Sequence, residues 1–295
     1  MKRCSAILLA AGRSQRLGFD KILTPLCGKP VLLYSLESLM ASTLIHEVII
    51  LTRPDVIPAI EALIEPLPKI KPVRVMPGGK ERQDSVYEGL KAVDSGSSHV
   101  LIHDGARPLL SVGLIARILE VCEETGASVA AHRATDTLKK VDEDGVIEHT
   151  VDRAGIWMME TPQVFARQLI TAAYERVIRE GLSVTDDAST VELGGGKVRV
   201  VESDALNLKI TRGEDWKILE LWLQRGELTS LREDIHQLSN VVSPLVGYLP
   251  LLEKYGGMDE KFKNYFQKSA ESLQGLQELL HRIQQRVRLL FKDPL

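Results

Sequence analysis

A basic, glycine-containing segment lies near the amino terminus: Leu9-Ala10-Ala11-Gly12-Arg13-Ser14-Gln15-Arg16-Leu17-Gly18, followed by Lys21. Small residues let backbone N–H groups approach an anion closely. Two guanidiniums and an ammonium within nine residues of Gly12 suit a polyanion such as a triphosphate. The segment is neither a G-x-x-x-x-G-K-[ST] loop nor a G-x-G-x-x-G turn, which counts against a P-loop ATPase and a nicotinamide dehydrogenase. Its purely structural reading is a strand-to-helix turn with solvated arginines. His103 adjoins Asp104, yet no serine or cysteine partner argues for a nucleophilic triad, so packing accounts better for this histidine. Cys4, Cys27 and Cys122 are odd in number and lack C-x-x-C spacing. They suit a reducing compartment and give no metal or disulfide signal.

The elements that must position these groups follow from hydropathy. Short apolar, β-branched runs at Ser5–Leu9, Glu47–Leu51, Pro72–Met76, His99–His103 and Ser128–His132 read as strands. Amphipathic stretches at Val31–Met40, Ile57–Leu63, Arg82–Val93 and Val112–Thr125 read as helices between them. Continuously apolar strands separated by helices predict an α/β fold, a doubly wound, Rossmann-like, mostly parallel sheet covered on both faces. Ligands in such folds bind beyond the carboxyl ends of the strands, so the polar residues there are the candidates for chemistry.

With 295 residues and a formal net charge of −3, the chain lacks the bulk positive charge of a dedicated nucleic-acid binder. Lys2 and Arg3 before Ala6–Ala11 imitate a signal peptide, but Arg13 and Arg16 follow at once, which favours a buried strand. No run approaches the ~18 apolar residues of a membrane span. The expectation is a cytoplasmic chain without nucleic-acid or membrane partners. Composition shifts near Gln224, so the domains are expected at 1–225 and 226–295. In the second, Leu228, Leu231, Ile235, Leu238, Val242, Leu245, Leu249 and Leu252 recur at spacings of three and four. After Gly256-Gly257, Leu273, Leu276, Leu280, Ile283, Val287 and Leu290 do the same. Two helices with narrow apolar seams predict a C-terminal α-helical hairpin, bent by Pro244 and Pro250, that buries its seams by dimerising.

Later segments carry a resemblance. Gly78-Gly79-Lys80-Glu81-Arg82-Gln83-Asp84-Ser85-Val86 and His103-Asp104-Gly105-Ala106-Arg107-Pro108 come first. Asp136-Thr137-Leu138-Lys139, Thr150-Val151-Asp152-Arg153, Glu160-Thr161-Pro162-Gln163, Thr185-Asp186-Asp187-Ala188-Ser189 and Asn207-Leu208-Lys209-Ile210-Thr211 follow. With the amino-terminal A-A-G-x-x-x-R-x-G and its lysine, this ordered set resembles the 2-C-methyl-D-erythritol 4-phosphate cytidylyltransferase family, from about Ala6 to Trp222. The resemblance implies transfer of a cytidylyl group from CTP to a polyol phosphate with release of pyrophosphate, in non-mevalonate isoprenoid precursor synthesis. By resemblance Arg16 and Lys21 stabilise charge at the α-phosphate, while Arg153 and Lys209 hold the incoming phosphate. Charge agrees, since two phosphorylated substrates must be joined against their repulsion.

The resemblance further implies CTP contacts at Ala10, Ala11, Gly12, Gly79, Ser85, Asp104 and Ala106, and polyol-phosphate contacts at Arg107, Thr137, Thr161, Thr185 and Asp186. Arg82 reads equally as a solvated helix start, Arg107-Pro108 as a plain loop, and Thr185 as a helix cap. Mg²⁺ is expected on the triphosphate oxygens, with no protein metal ligands assigned. Residues of about 134–160 form an excursion that in the family is a dimerisation arm, implying a homodimer with Thr137, and Lys139 beside it, offered to the neighbouring site. Asp20 and Lys80 depart from the pattern, and a negative charge beside Lys21 is unexpected. The segment Ile235-His236-Gln237-Leu238-Ser239-Asn240 is similar to the phosphoacceptor helix of some sensor histidine kinases, although no ATP-binding domain follows. The competing functions are therefore a cytidylyltransferase for another polyol phosphate, such as ribitol 5-phosphate, or a nucleotide-binding phosphorelay or scaffold protein. The second phosphate clamp argues against the latter.

Overall fold

A computed structural model describes residues 3–12, 17–203, 206–226, 233–234, 237–238, 240–241 and 260–290. The strands are β1 (Cys4–Ala10), β2 (Pro25–Leu26), β3 (Lys29–Pro30), β4 (Ile45–Thr52), β5 (Val73–Pro77), β6 (His99–Asp104), β7 (Ala127–Arg133), β8 (Leu138–Val141), β9 (Ile147–Val151), β10 (Trp157–Ala166) and β11 (Arg199–Glu202). The helices are α1 (Val31–Ala41), α2 (Ile57–Ile64), α3 (Arg82–Ala92), α4 (Val112–Thr125), α5 (Arg167–Glu180), α6 (Asp187–Leu193), α7 (213–226) and α8 (Glu260–Leu290). The chain divides into two units, Met1–Asp215 and Trp216–Leu295.

In the first unit, seven strands form one sheet in the order β11-β7-β10-β6-β1-β4-β5. Every pairing is parallel except those of β10, which runs antiparallel to both neighbours. Strand β1 is buried along its whole length, as a central strand covered on both faces must be. Its alternation splits the core: Ala6, Leu8 and Ala10 pack with Leu32, Leu36, Ile50 and Ile115, while Ile7 and Leu9 pack with Ile49, Val86, Ile102 and Phe165. Helix α4 starts where the Ser111 hydroxyl accepts from Leu114 N, and stops at Gly126, whose φ of +81° is the left-handed conformation that favours glycine.

Strand β10 is among the elements that hydropathy concealed. Glu160, Thr161, Pro162 and Gln163 interrupt its apolar run, and the register with β7 shifts between Met159 and Gln163. Such a shift frees side chains from the ladder and re-aims them. Residues 134–160 contain a separate antiparallel hairpin, β8–β9. Its turn is closed by Asp142 Oδ1, which accepts from Asp144 N and Val146 N.

In the second unit α8 is a single 31-residue helix carrying the second predicted seam. Of the first seam only Leu238 falls among the described residues; His236 lies outside them. Among the described residues no helix is long and apolar enough to cross a membrane.

Candidate active site

A cavity of about 890 Å³ lies beyond the carboxyl ends of β1, β4, β5 and β6, where the fold places ligand sites. Its wall brings together nine of the predicted residues: Ala10, Ala11, Gly12, Lys21, Gly79, Ser85, Asp104, Ala106 and Lys209. Arg16 lies outside the described residues. Arg107, Thr137, Arg153, Thr161, Thr185 and Asp186 do not line the cavity.

The loop after β5 is built for close approach. Gly79 N donates to Ser85 Oγ at 3.0 Å, and that hydroxyl donates to the Glu81 carbonyl at 3.0 Å. A Cβ on Gly79 would stand 2.2 Å from Asp84 Cβ, so only glycine fits there. Glu81 and Asp84 close a reciprocal capping box at the start of α3. The loop is thereby locked onto a helix, and the hydroxyl of Ser85 is fixed from two sides.

Asp104, at the tip of β6, is the centre of the charge pattern. Its Oδ2 lies 2.6 Å from Lys209 Nζ and its Oδ1 3.3 Å from Arg82 Nε. Arg82 also grips Asp187 with both terminal nitrogens, at 2.9 and 2.7 Å, and Tyr174 donates its hydroxyl proton to the same carboxylate at 2.5 Å. Burial opposes ionisation of Asp104, but Arg82 and then Lys209 outweigh it and hold the carboxyl well below its usual range. Arg82 is thus no solvated helix start. Asp187 and Tyr174 were missed by sequence reasoning; the doubled acid Asp186-Asp187 before an apolar run was the available signal, and Tyr174 reads only as a core position of α5.

A neutral relay holds the turn after β6. The Asp104 N–H donates to Thr161 Oγ1 at 3.0 Å, Thr161 Oγ1 lies 3.1 Å from His103 Nδ1, and His103 Nε2 lies 3.2 Å from the Arg107 carbonyl. The relay is satisfied when His103 is neutral with its proton on Nε2, and burial lowers its pKa to about 4. Thr161 therefore acts on backbone and ring in this chain. Arg107 donates to the Asn207 carbonyl at 2.6 Å and lies 3.8 Å from Glu160. Asn207 in turn donates to Glu160 Oε2 at 2.8 Å, tying the Lys209 segment to β10.

The remaining predicted residues occupy the periphery. Asp186, not Thr185, caps α6, accepting from Ser189 N at 3.0 Å. Thr137 and Arg153 are exposed on the excursion that carries β8–β9, and Arg153 donates to the Thr135 carbonyl. Lys21 Nζ donates to the Ile210 carbonyl at 2.6 Å, which sets it beside the Lys209 segment. The unexpected Asp20 is neutralised by Arg53, whose terminal nitrogen lies 2.6 Å from Asp20 Oδ2.

The sequence profile of the 2-C-methyl-D-erythritol 4-phosphate cytidylyltransferase family matches residues 4–225. A relative of that name from Caldanaerobacter subterraneus is 39% identical over 224 residues, covering 75% of this chain and 99% of the relative. Another from Prochlorococcus marinus is 41% identical over 217 residues, covering 72% and 95%. A crystal structure of 4-diphosphocytidyl-2C-methyl-D-erythritol synthase from Anaerococcus prevotii superposes with a TM-score of 0.68 at 33% identity, covering 76% of this chain and 99% of that one. The Thermus thermophilus cytidylyltransferase does so with 0.61 at 29% identity, covering 74% and 98%. A mixed sheet with a basic, glycine-walled cleft at its carboxyl edge is, with these relatives, that of a nucleotidyltransferase. Within that class, the chain belongs to the 2-C-methyl-D-erythritol 4-phosphate cytidylyltransferase family.

Proposed function

We infer that the chain transfers the cytidylyl group of CTP to 2-C-methyl-D-erythritol 4-phosphate, giving the CDP-polyol and pyrophosphate in non-mevalonate isoprenoid precursor synthesis. The observation that carries this reading is the meeting of Lys21, Lys209, Asp104 and the Gly79–Ser85 loop in one cavity, although they lie far apart along the chain. A phosphate oxygen of the polyol attacks the α-phosphorus of CTP in line; the new P–O bond forms as the bond to the β-phosphate bridge breaks, and pyrophosphate leaves. No covalent enzyme intermediate is needed, so catalysis consists of positioning and charge stabilisation.

In this reading Gly79 and Ser85 contact the cytosine, and the backbone of Ala10, Ala11 and Gly12 approaches the phosphates. Lys21, with Arg16, meets charge that builds on the α-phosphate, and Lys209 meets the second phosphate. Asp104 and Ala106 border the nucleotide, Arg107, Thr185 and Asp186 lie towards the polyol, and Thr161 holds the Asp104 backbone and the His103 ring behind them. Magnesium would be carried by the triphosphate oxygens. No group of three His, Cys, Asp or Glu among the described residues could hold a metal ion alone, and the carboxylate nearest the cavity, Asp104, is already paired with Lys209 and Arg82, so the ion would take its oxygen ligands from the phosphates. When bound, the ion neutralises phosphate charge.

Arg153 and Thr137 project on the excursion rather than into the cavity of their own chain. The same segment exposes Val141, Val146, Ile147, Met158 and Met159, a set that favours burial against a second copy. A homodimer in which each excursion completes the neighbour's site accounts for both facts. The test is pyrophosphate release with CTP and a panel of polyol phosphates. Turnover with the methylerythritol phosphate and not with ribitol 5-phosphate is expected; the reverse preference would overturn the substrate assignment, and equal use of ATP would overturn the base assignment.

A further inference from the structure

Arg53 follows β4 and belongs to none of the motifs that carry the family resemblance. Its side chain spans two points that the sequence separates. One terminal nitrogen donates to the Gly12 carbonyl at 3.0 Å, and the other donates to Asp20 Oδ2 at 2.6 Å. Its Nε lies 3.5 Å from Asp55 Oδ1. Gly12 follows β1 in the cavity wall, and Asp20 directly precedes Lys21, which lines the same cavity.

Both anchor points are stiff. Arg53 stands at the end of a core strand whose last residue, Thr52, pairs with Ala10 and donates to its carbonyl at 3.2 Å. Asp20 organises the lysine turn with its remaining acceptors. Its Oδ1 accepts from Ile22 N at 3.1 Å, and its carbonyl accepts from Thr24 N at 3.0 Å and Thr24 Oγ1 at 2.7 Å. Ile22 is buried in the core, so the turn cannot drift. A turn held in place before its ligand arrives lowers the ordering cost of binding. A planar guanidinium can hold a carbonyl and a carboxylate at once, which a lysine ammonium does not reproduce in the same fixed geometry.

We propose that Arg53 is a positioning residue of the transfer reaction, clasping the Asp20–Lys21 turn to the Gly12 backbone so that both meet the nucleotide triphosphate in one geometry. The clasp also neutralises Asp20, which otherwise sets a negative charge beside the phosphates. The proposal rests on the reading of this cavity as the CTP site.

The experiment compares full-length wild type, Arg53→Ala, Arg53→Lys, Asp20→Asn and the Arg53→Ala/Asp20→Asn double variant. Asp20→Asn keeps the turn's acceptor for Ile22 N and removes the ion pair. Steady-state kinetics are combined with amide hydrogen exchange across residues 12–22 in substrate-free protein. Arg53→Ala is expected to lower kcat/KM for CTP by about 10²-fold, the scale of a small misplacement of a catalytic group. The KM for the polyol phosphate stays unchanged, Arg53→Lys does not rescue, and exchange across that stretch rises. The double variant is expected to fall short of the product of the single effects, because both act through one contact. Wild-type kinetics in Arg53→Ala overturn the proposal. So does a loss of activity with unchanged exchange and multiplicative effects, which would make Arg53 a direct ligand of the triphosphate. Should Arg53→Ala fail to fold, unchanged exchange in Asp20→Asn overturns it equally. A wild-type enzyme that works with another nucleotide defeats the CTP reading, while the exchange data still decide the clasp.

Discussion

Lys209 Nζ and Asp104 Oδ2 stand 2.6 Å apart, so the cation assigned to the incoming phosphate rests on a carboxylate that Arg82 holds from its other side. The carboxylate orients Lys209 without burying it, since the lysine side chain is 37% exposed while that of Asp104 is 10% exposed. In the proposed reading an arriving phosphate finds a cation already aimed, which lowers the cost of ordering a long side chain.

Lys209→Ala is expected to raise the KM for the polyol phosphate by about tenfold to 10²-fold, the equivalent of a charge-assisted hydrogen bond of ~1.5–3 kcal/mol. The KM for CTP should change far less. Equal changes in both constants would remove Lys209 from the second phosphate.

Lys21→Ala acts on the chemical step. Turnover is expected to fall by at least ~10²-fold, the scale for losing one donor to transition-state charge. Binding of CTP, measured by calorimetry, should weaken less than turnover falls. Near-normal turnover would show that Lys21 does not meet the reacting phosphate.

The pair Arg82–Asp187 is a matter of stability as well as orientation. Asp187 is fully buried, and Asp187→Ala leaves a half-buried guanidinium short of its bidentate partner. A loss of about 3 kcal/mol is expected, the lower end for breaking a buried ion pair. Tyr174→Phe removes one hydrogen bond to the same carboxylate and should cost about 1 kcal/mol. Thermal melts of the two variants check the order; a more damaging Tyr174→Phe would contradict it.

His103 gives a pH signature. Its folded pKa of about 4 lies below the ordinary 6.5 because the ring is buried. As pH falls from 6.5 towards 4, the unfolded chain takes up a proton that the folded chain refuses, so this stability is complete above pH 6.5 and is lost on acidification. The loss approaches about 3 kcal/mol near pH 4. Denaturant melts between these pH values should slope more steeply for the wild type than for His103→Asn. Parallel slopes would mean that the ring is not held neutral.

Arg153 tests the shared site. Mixing equal amounts of Lys21→Ala and Arg153→Ala chains under subunit exchange should restore about a quarter of wild-type activity, because half of the dimers are mixed and each holds one intact site. No recovery despite exchange would assign Arg153 to its own chain's cavity.

Local pattern determined much of this protein. The apolar, β-branched runs that became β1, β4, β6 and β7, and the periodicity of α1 and α4, were legible because strand and helix burial repeat at fixed short intervals. So were the small residues at the ends of β1, β5 and β6, among them Ala11, Gly12, Gly79 and Ala106, which the fold sets in the wall of one cavity. Tertiary structure alone decided the rest. Strand β10 could not be read from hydropathy, because Glu160 and Thr161 leave the ladder to serve Asn207, His103 and Asp104. Arg82 became a half-buried ligand of Asp187 from 105 residues away, and Asp20 found its partner in Arg53 from 33 residues away. Whether a charged side chain is solvated or paired depends on which strand end the fold sets beside it, and no period of two or 3.6 residues carries that information.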